Sequence, residues 1–288
     1  MLANPAAFAA AAALFGLAIG SFLNVVIWRL PQMLERRWRA ECAALEGRVA
    51  PADGERFDLI RPRSRCPSCG APIRALHNVP VLSFIVLGGR CASCRAPIPL
   101  RYPAIELATA ALFALTAWHF GFGWQAALAL LFTAFLVALA GIDLDRQLLP
   151  DALTLPLLWI GLLASLAHVE GSAAPPVAPR DALAGAAAGY LFLWSVFQLF
   201  RLITGKEGMG YGDFKLFAAV GAFLGWQMLP LVILASSFVG AIAGIALMIL
   251  ARRGRDVPIP FGPYLAGAGL IALFWGQELV DRYLAQLL

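Results

Sequence analysis

Charge is what this sequence has least of. Asp, Glu, Lys and Arg make up 14% of its 288 residues, against 61% hydrophobic residues, a balance that excludes a soluble globular domain and predicts a polytopic membrane protein. The first 28 residues carry no charge at all, and the first basic residue, Arg29, follows the apolar run instead of preceding it. That order is wrong for a cleavable signal peptide and predicts a retained first span with its N-terminus outside. Histidine is also scarce. There are three, none in a His-Glu-x-x-His pattern, which excludes a zinc protease of that type. A Ser-His intramembrane protease fails on position, because Ser21 falls toward the cytoplasmic end of its span whereas His119 and His168 fall at outer ends.

What is present in quantity is apolar sequence in span-sized pieces. A bilayer core needs about 20 apolar residues per helix. Residues 5–28 supply one span, and the uncharged run from Leu107 to Ile142 divides at His119–Trp124 into two. Further spans fall at about 152–168, 182–200, 214–226, 228–250 and 261–275. The predicted fold class is an all-α membrane protein of about eight transmembrane helices. It divides into a first helix (1–30), a cytoplasmic Cys-rich loop domain (31–101) and a seven-helix membrane domain (102–288). Residues 31–101 hold 12 Lys/Arg against 6 Asp/Glu. Beside membrane spans, that excess reads as retention of positive charge in the cytoplasm, not as a nucleic-acid site. With the N-terminus outside, Arg146, Arg201, Lys206, Lys215 and the Arg252, Arg253, Arg255 cluster all fall inside as well, leaving only Arg180 and Arg282 outside. Glycine pairs four apart, at 16/20, 185/189, 221/225 and 240/244, permit close helix packing.

Against this background an embedded carboxylate is expensive and points to function. Asp213 lies in Gly208-Met209-Gly210-Tyr211-Gly212-Asp213-Phe214-Lys215. Gly210 and Gly212 there allow a positive φ or a close backbone approach, and so a sharp entry into a helix at Asp213. Asp143, Asp145 and Asp151 end one span and precede another, and the topology puts them on the same face of the membrane as Asp213. Two carboxyls a few ångströms apart share a proton, so one can act as base on water while the other acts as acid toward a carbonyl. This is aspartyl-protease chemistry. Two other classes stay open on the residues alone: a transporter that uses the carboxylates as a proton relay, and a zinc-dependent assembly factor with no catalysis of its own.

The loop carries Cys66-Pro67-Ser68-Cys69 and Cys91-Ala92-Ser93-Cys94, with 21 residues between the pairs. Two Cys-x-x-Cys pairs at that spacing, on the reducing side of a membrane, predict a four-thiolate zinc site of ribbon type, the alternative being two redox pairs or four unligated thiols. Cys42 lies outside the pattern and reads as a free thiol.

Taken together and in order, these motifs resemble the type IV prepilin peptidase family, the prepilin leader peptidases/N-methyltransferases. The resemblance runs from Gly20-Ser21-Phe22-Leu23-Asn24 through Arg29-Leu30-Pro31 and the double Cys-x-x-Cys. It continues through Asn78-Val79-Pro80-Val81-Leu82-Ser83, Arg101-Tyr102-Pro103-Ala104-Ile105-Glu106, the Asp143–Asp151 motif, Gly-Tyr-Gly-Asp and Pro258-Ile259-Pro260-Phe261-Gly262-Pro263-Tyr264. It implies a GxGD-type aspartyl protease of the bacterial inner membrane, with its active site facing the cytoplasm. Its partners would be the lipid bilayer, prepilins and the pseudopilins of type II secretion. Of the three candidates, the family pattern selects Asp143, seven positions before Pro150, to pair with Asp213. It further implies N-methylation of the new N-terminus with S-adenosylmethionine as methyl donor, for which no residues are assigned. Gly89 matches a glycine associated with that activity, and Glu106 matches a motif position, with pairing to Arg101 as its plainer explanation. One departure is Arg95, where many members have glycine after the fourth cysteine.

Overall fold

The computed structural model describes residues 4–48, 56–74, 78–168, 175–250 and 259–287, and among these the regular structure is helical apart from two isolated β-bridges. The basic cluster Arg252, Arg253, Arg255 and Pro258 of the last motif lie outside the described residues. Two compact units divide the chain, Met1–Trp118 and His119–Leu288.

In the first unit α1 (Pro5–Leu45) starts at Asn4, whose side chain accepts from the Ala6 amide at 3.0 Å, with Pro5 just inside the helix. At 1.5 Å per residue it is about 60 Å long, roughly twice a bilayer core. It therefore does not stop where the apolar run stops. Beyond Pro31, Arg37–Glu41 and Glu35–Arg39 pairs at i,i+4 support the charged turns. Its buried face, from Ala9 and Ala12 through Gly16, Gly20 and Asn24 to Pro31, repeats at helical spacing. That face meets α3 (Arg101–Phe120) at short range: a Cβ on Gly16 would sit 2.8 Å from the Ala110 Cα, and one on Gly20 2.7 Å from the Glu106 Cα. Below that contact, Asn24 Nδ2 donates to the Tyr102 carbonyl at 3.1 Å. Arg29 is buried and donates to the carbonyls of Asp58 and Pro62, which ties the following segment to α1. Short α2 (Leu82–Val86) completes the unit.

The second unit is built around α7 (Tyr211–Leu224), with 11 of its 14 residues buried. A helix enclosed on every side must be apolar on every side, and Phe214 through Leu224 is so but for Lys215. Around it stand α4 (Trp124–Arg146), α5 (Asp151–Ser165), α6 (Pro179–Thr204) and α9 (Gly262–Leu287), with α8 (Leu229–Leu250) against α9. The closest approach is between α6 and α7, where Gly185 and Gly221 face each other so tightly that a Cβ on either would overlap the other's carbonyl oxygen. On the α5 side, Gly161 gives room to Phe223, which stacks on Phe132 of α4 at 4.7 Å. The pairs Gly16/Gly20 and Gly185/Gly189, together with Gly221, thus mark helix contacts in which a side chain would overlap backbone, whereas Gly225, Gly240 and Gly244 meet only side chains.

Among the described residues, five helices are long and apolar enough to cross a membrane: Pro5–Leu45, Arg101–Phe120, Trp124–Arg146, Pro179–Thr204 and Trp226–Ile249. Asp151–Ser165 is apolar but shorter. α7 spans about 21 Å, less than a bilayer core.

Candidate active site and metal centre

Asp143 lies in the last turn of α4. The helix ends at Gln147, whose left-handed backbone (φ 51°) sends its amide back to the Asp143 carbonyl at 2.9 Å. The next three residues turn the chain so that Leu149 points inward, and Pro150 stands before the start of α5. Of the three carboxylates in this stretch, only Asp143 is buried; Asp145 and Asp151 are exposed. Asp151 is held by Lys215 of α7.

Asp213 is the third residue of α7, after Gly210 as the cap, and is buried. The glycines before it work by closeness, not by handedness. None of Gly208, Gly210 and Gly212 has a positive φ; instead a Cβ on Gly212 would lie 2.5 Å from the Leu149 Cβ and 3.0 Å from its carbonyl oxygen. The other side of Leu149 reaches Gly262, where an added Cβ would stand 3.1 Å from the Leu149 Cδ2 and 2.7 Å from the Asp143 Oδ2. Leu149 therefore sits between the neighbour of Asp213 and the neighbour of Asp143. Asp143 Oδ2 accepts a buried hydrogen bond from the Gly262 amide at 2.9 Å, while Asp213 Oδ1 is buried with no partner. Leu149 and Gly262 thus bring the Asp143 carboxyl up to the start of α7.

In the first unit Cys66, Cys69, Cys91 and Cys94 bring their sulfurs within 4.8 Å of one another, all as free thiols. The Cys66 and Cys94 sulfurs are 3.8 Å apart, matching the edge of about 3.8 Å expected for a tetrahedron with zinc–sulfur bonds of about 2.3 Å. The two knuckles repeat each other. Cys66 N bonds Ala71 O and Cys91 N bonds Ala96 O, with bridges Arg65–Pro72 and Arg90–Pro97 beside them. Gly70 (φ 69°) and Arg95 (φ 61°) occupy the same left-handed place, so the arginine keeps the turn that glycine would make. Backbone amides of Cys69 and Ser68 hold the Cys66 thiol down to about 6, and those of Cys94 and Ser93 lower Cys91. The Ala96 amide draws Cys94 down, but the neighbouring thiols, Cys69 first, push it up to about 11. Four thiolates this close need a cation, and the cluster could hold a metal ion. Cys42 is exposed on α1 and is no part of it.

Glu106 is buried, and its Oε2 accepts from the Val81 amide at 2.7 Å. Val81 has φ 59° and caps α2, so the partner of Glu106 is a helix end in the Asn78–Ser83 motif. Gly89 (φ 67°) returns its amide to the Phe84 carbonyl and lies under the Phe84 ring.

Residues 14–120 match the family described as the bacterial peptidase A24 N-terminal domain, and residues 130–245 match the type IV leader peptidase family. A prepilin leader peptidase/N-methyltransferase of Pseudomonas aeruginosa is 53% identical over 284 residues, covering 99% of this chain and 96% of that protein. One from Aeromonas salmonicida is 56% identical over 277 residues (96% and 93%), and one from Legionella pneumophila 46% over 271 (94% and 92%). The chain belongs to the type IV leader peptidase family. No solved structure matches it.

Within this family member, sequence reasoning singled out both buried aspartates and the four cysteines. It missed the parts played by Leu149 and the Gly262 amide. Leu149 is one apolar residue among many, and a backbone amide leaves no mark on composition. The only available signal was the tight Gly262-Pro263 step inside an otherwise unassigned motif.

Proposed function

We propose that this chain is a prepilin leader peptidase and N-methyltransferase of the bacterial inner membrane, in which Asp143 and Asp213 form the catalytic pair of an aspartyl endopeptidase. The observation that carries the reading is the placement of these two carboxyls, both buried, one at the end of α4 and the other at the start of α7, and joined through Leu149, which packs against Gly212 beside Asp213 and against Gly262, the donor to Asp143. Carboxyls so placed share one proton, and water held between them is activated by one while the other protonates the scissile carbonyl. No covalent enzyme intermediate is needed. Gly212 serves by letting the start of α7 pack against Leu149, and Gly210 stands beside the Asp213 carboxyl, where an added Cβ would lie 3.5 Å from Oδ2.

The fuller architecture belongs to the same proposal. Eight helices cross the bilayer with the N-terminus outside, in a first span (1–30), a cytoplasmic domain (31–101) and a seven-helix peptidase domain (102–288). The pair then opens on the cytoplasmic side, where the leaders of prepilins and type II secretion pseudopilins are cut. Cys66, Cys69, Cys91 and Cys94 hold zinc structurally, supported by their sulfur spacing. Methyl transfer from S-adenosylmethionine is assigned to the cytoplasmic domain, where Gly89, and Glu106 from the first turns of α3, shape the α2 region. The relatives' names carry both activities.

The test uses purified full-length protein in detergent with a synthetic prepilin and labelled S-adenosylmethionine, resolving cleavage from methylation. Wild type performs both without other components. Asp143→Asn and Asp213→Asn each abolish cleavage, whereas Asp145→Asn retains it. Loss in Asp145→Asn with survival in Asp143→Asn would move the site within its own motif.

A further inference from the structure

The two aspartates differ in what surrounds them. α9 opens with Gly262-Pro263-Tyr264. The amides of Tyr264 and Leu265 turn back to the Phe261 carbonyl, and Pro263 has no amide hydrogen. Gly262 alone is left with a free N–H at the positive end of that helix, and it donates to Asp143 Oδ2. A donor of this kind favours a carboxylate over a carboxylic acid. Glycine is required there, because any Cβ would press on the same oxygen.

Asp213 has the opposite setting. The Gly210 amide faces its carboxyl on one side, but Oδ1 is buried without a partner. A bare carboxylate oxygen in that position is costly, whereas a protonated one is a donor waiting for an acceptor.

We infer that the Gly262 amide divides the labour of the pair, making Asp143 the ionised general base and leaving Asp213 to carry the shared proton on its unpartnered Oδ1. The assignment rests on the aspartyl-peptidase reading above. Asp143 removes a proton from water, the water oxygen bonds to the scissile carbonyl carbon, and Asp213 passes its proton to the carbonyl oxygen, giving a neutral gem-diol. In the second half Asp143 returns its proton to the amide nitrogen as the carbon–nitrogen bond breaks. Asp213 takes a proton from one diol hydroxyl. The products are a carboxylic acid and an amine, and both aspartates regain their starting states. Gly262 is a positioning residue, acting through Asp143.

Infrared difference spectroscopy of the full chain in detergent reads the protonated-carboxyl stretch directly. Asp213→Asn should lose a buried protonated-carboxyl band that wild type shows, and Asp143→Asn should keep it. Asparagine is isosteric, and its side-chain oxygen still accepts from Gly262, so both variants are expected to fold. If the Asp143→Asn protein does not accumulate, Asp213→Asn alone decides, since a band retained there overturns the assignment. Gly262→Ala should lower kcat by about tenfold or more with KM little changed and should alter the same band, which a merely structural role would leave in place. An unaltered band in a folded Gly262→Ala protein would overturn the role of the amide. Cleavage surviving in either Asn variant would sink the aspartyl reading and this assignment with it. Reversed spectra from two inactive variants would sink the assignment alone.

Discussion

Lys215 grips Asp151 through both carboxylate oxygens, its Nζ 2.6 Å from Oδ1 and 2.7 Å from Oδ2. Lys215 is two residues past Asp213 on α7, and Asp151 is the first residue of α5, two past Leu149. The pair therefore ties the start of α7 to the turn that follows Asp143. Because Asp151 is more than half exposed, the bond is screened and contributes to stability at the low end, about 0.5 kcal/mol. Lys215→Ala and Asp151→Ala are expected to lower cleavage several-fold without abolishing it, with little loss of melting temperature. The exchanged pair Lys215→Asp with Asp151→Lys should recover part of the activity. Single variants as inactive as Asp213→Asn would show that the pair does more than align.

The α6–α7 contact is a separate matter of stability. Gly185 and Gly221 leave no space for a methyl group against the opposing backbone, and backbone cannot rotate away as a side chain can. Gly185→Ala should destabilise the second unit by about 1–3 kcal/mol, measured as a lower midpoint in thermal unfolding of the detergent-solubilised protein. Gly267→Ala, where an added Cβ meets nothing within 4 Å, is the control and should unfold near the wild-type temperature. A Gly185→Ala protein as stable as that control would contradict the close crossing.

The contrast between those glycines shows which features were legible in the sequence. The apolar runs and their interruption at His119–Trp124 predict α3 and α4 to within a few residues, because hydrophobic length is set by the bilayer and is written locally. Asp143 and Asp213 stand out because charge is rare around them, and the cysteines because of their spacing. α1 outruns its prediction, since its charged extension is held by i,i+4 pairs and by Arg29, and neither is an apolar signal. Glu106 illustrates a different limit. Arg101 is its nearest basic neighbour in sequence, but the partner is an amide 25 residues away, fixed by how α2 folds back.

That amide makes Glu106 testable. Removing its side chain leaves the Val81 N–H without an acceptor beside a left-handed residue, a loss of about 1–3 kcal/mol in local stability. Glu106→Ala should increase protease susceptibility around residues 78–90, while Glu106→Gln, which keeps an acceptor oxygen, should behave nearly as wild type. Equal susceptibility of the two variants would mean that the charge, not the hydrogen bond, matters.

The cysteines and the aspartates belong to different units, so their losses should separate. Cys69→Ser removes one of four thiolates, and purified protein is expected to fall from about one zinc per chain toward none by elemental analysis. Methyl transfer should drop more than cleavage does. Wild-type protein without zinc would remove the metal assignment, and equal loss of both activities would mean that the first unit is needed for the peptidase fold.

Leu149 offers the sharpest test of how the pair is spaced. It is buried against Gly212 on one side and Gly262 on the other, and those two residues adjoin Asp213 and hold Asp143. Trimming it to alanine keeps the Cβ contact with Gly212 but removes the δ-carbon that reaches Gly262, so α9 and its amide gain freedom relative to α7. Misplacement on the order of 1 Å at a reacting pair costs about 100-fold in rate, far more than the turn should contribute to substrate binding. Leu149→Ala should therefore depress kcat by about 10–100-fold with KM nearly unchanged. Leu149→Met, of similar volume and able to reach the same gap, should restore most of it. A Leu149→Ala enzyme with normal kcat would mean that the two carboxyls are held by their own helices alone.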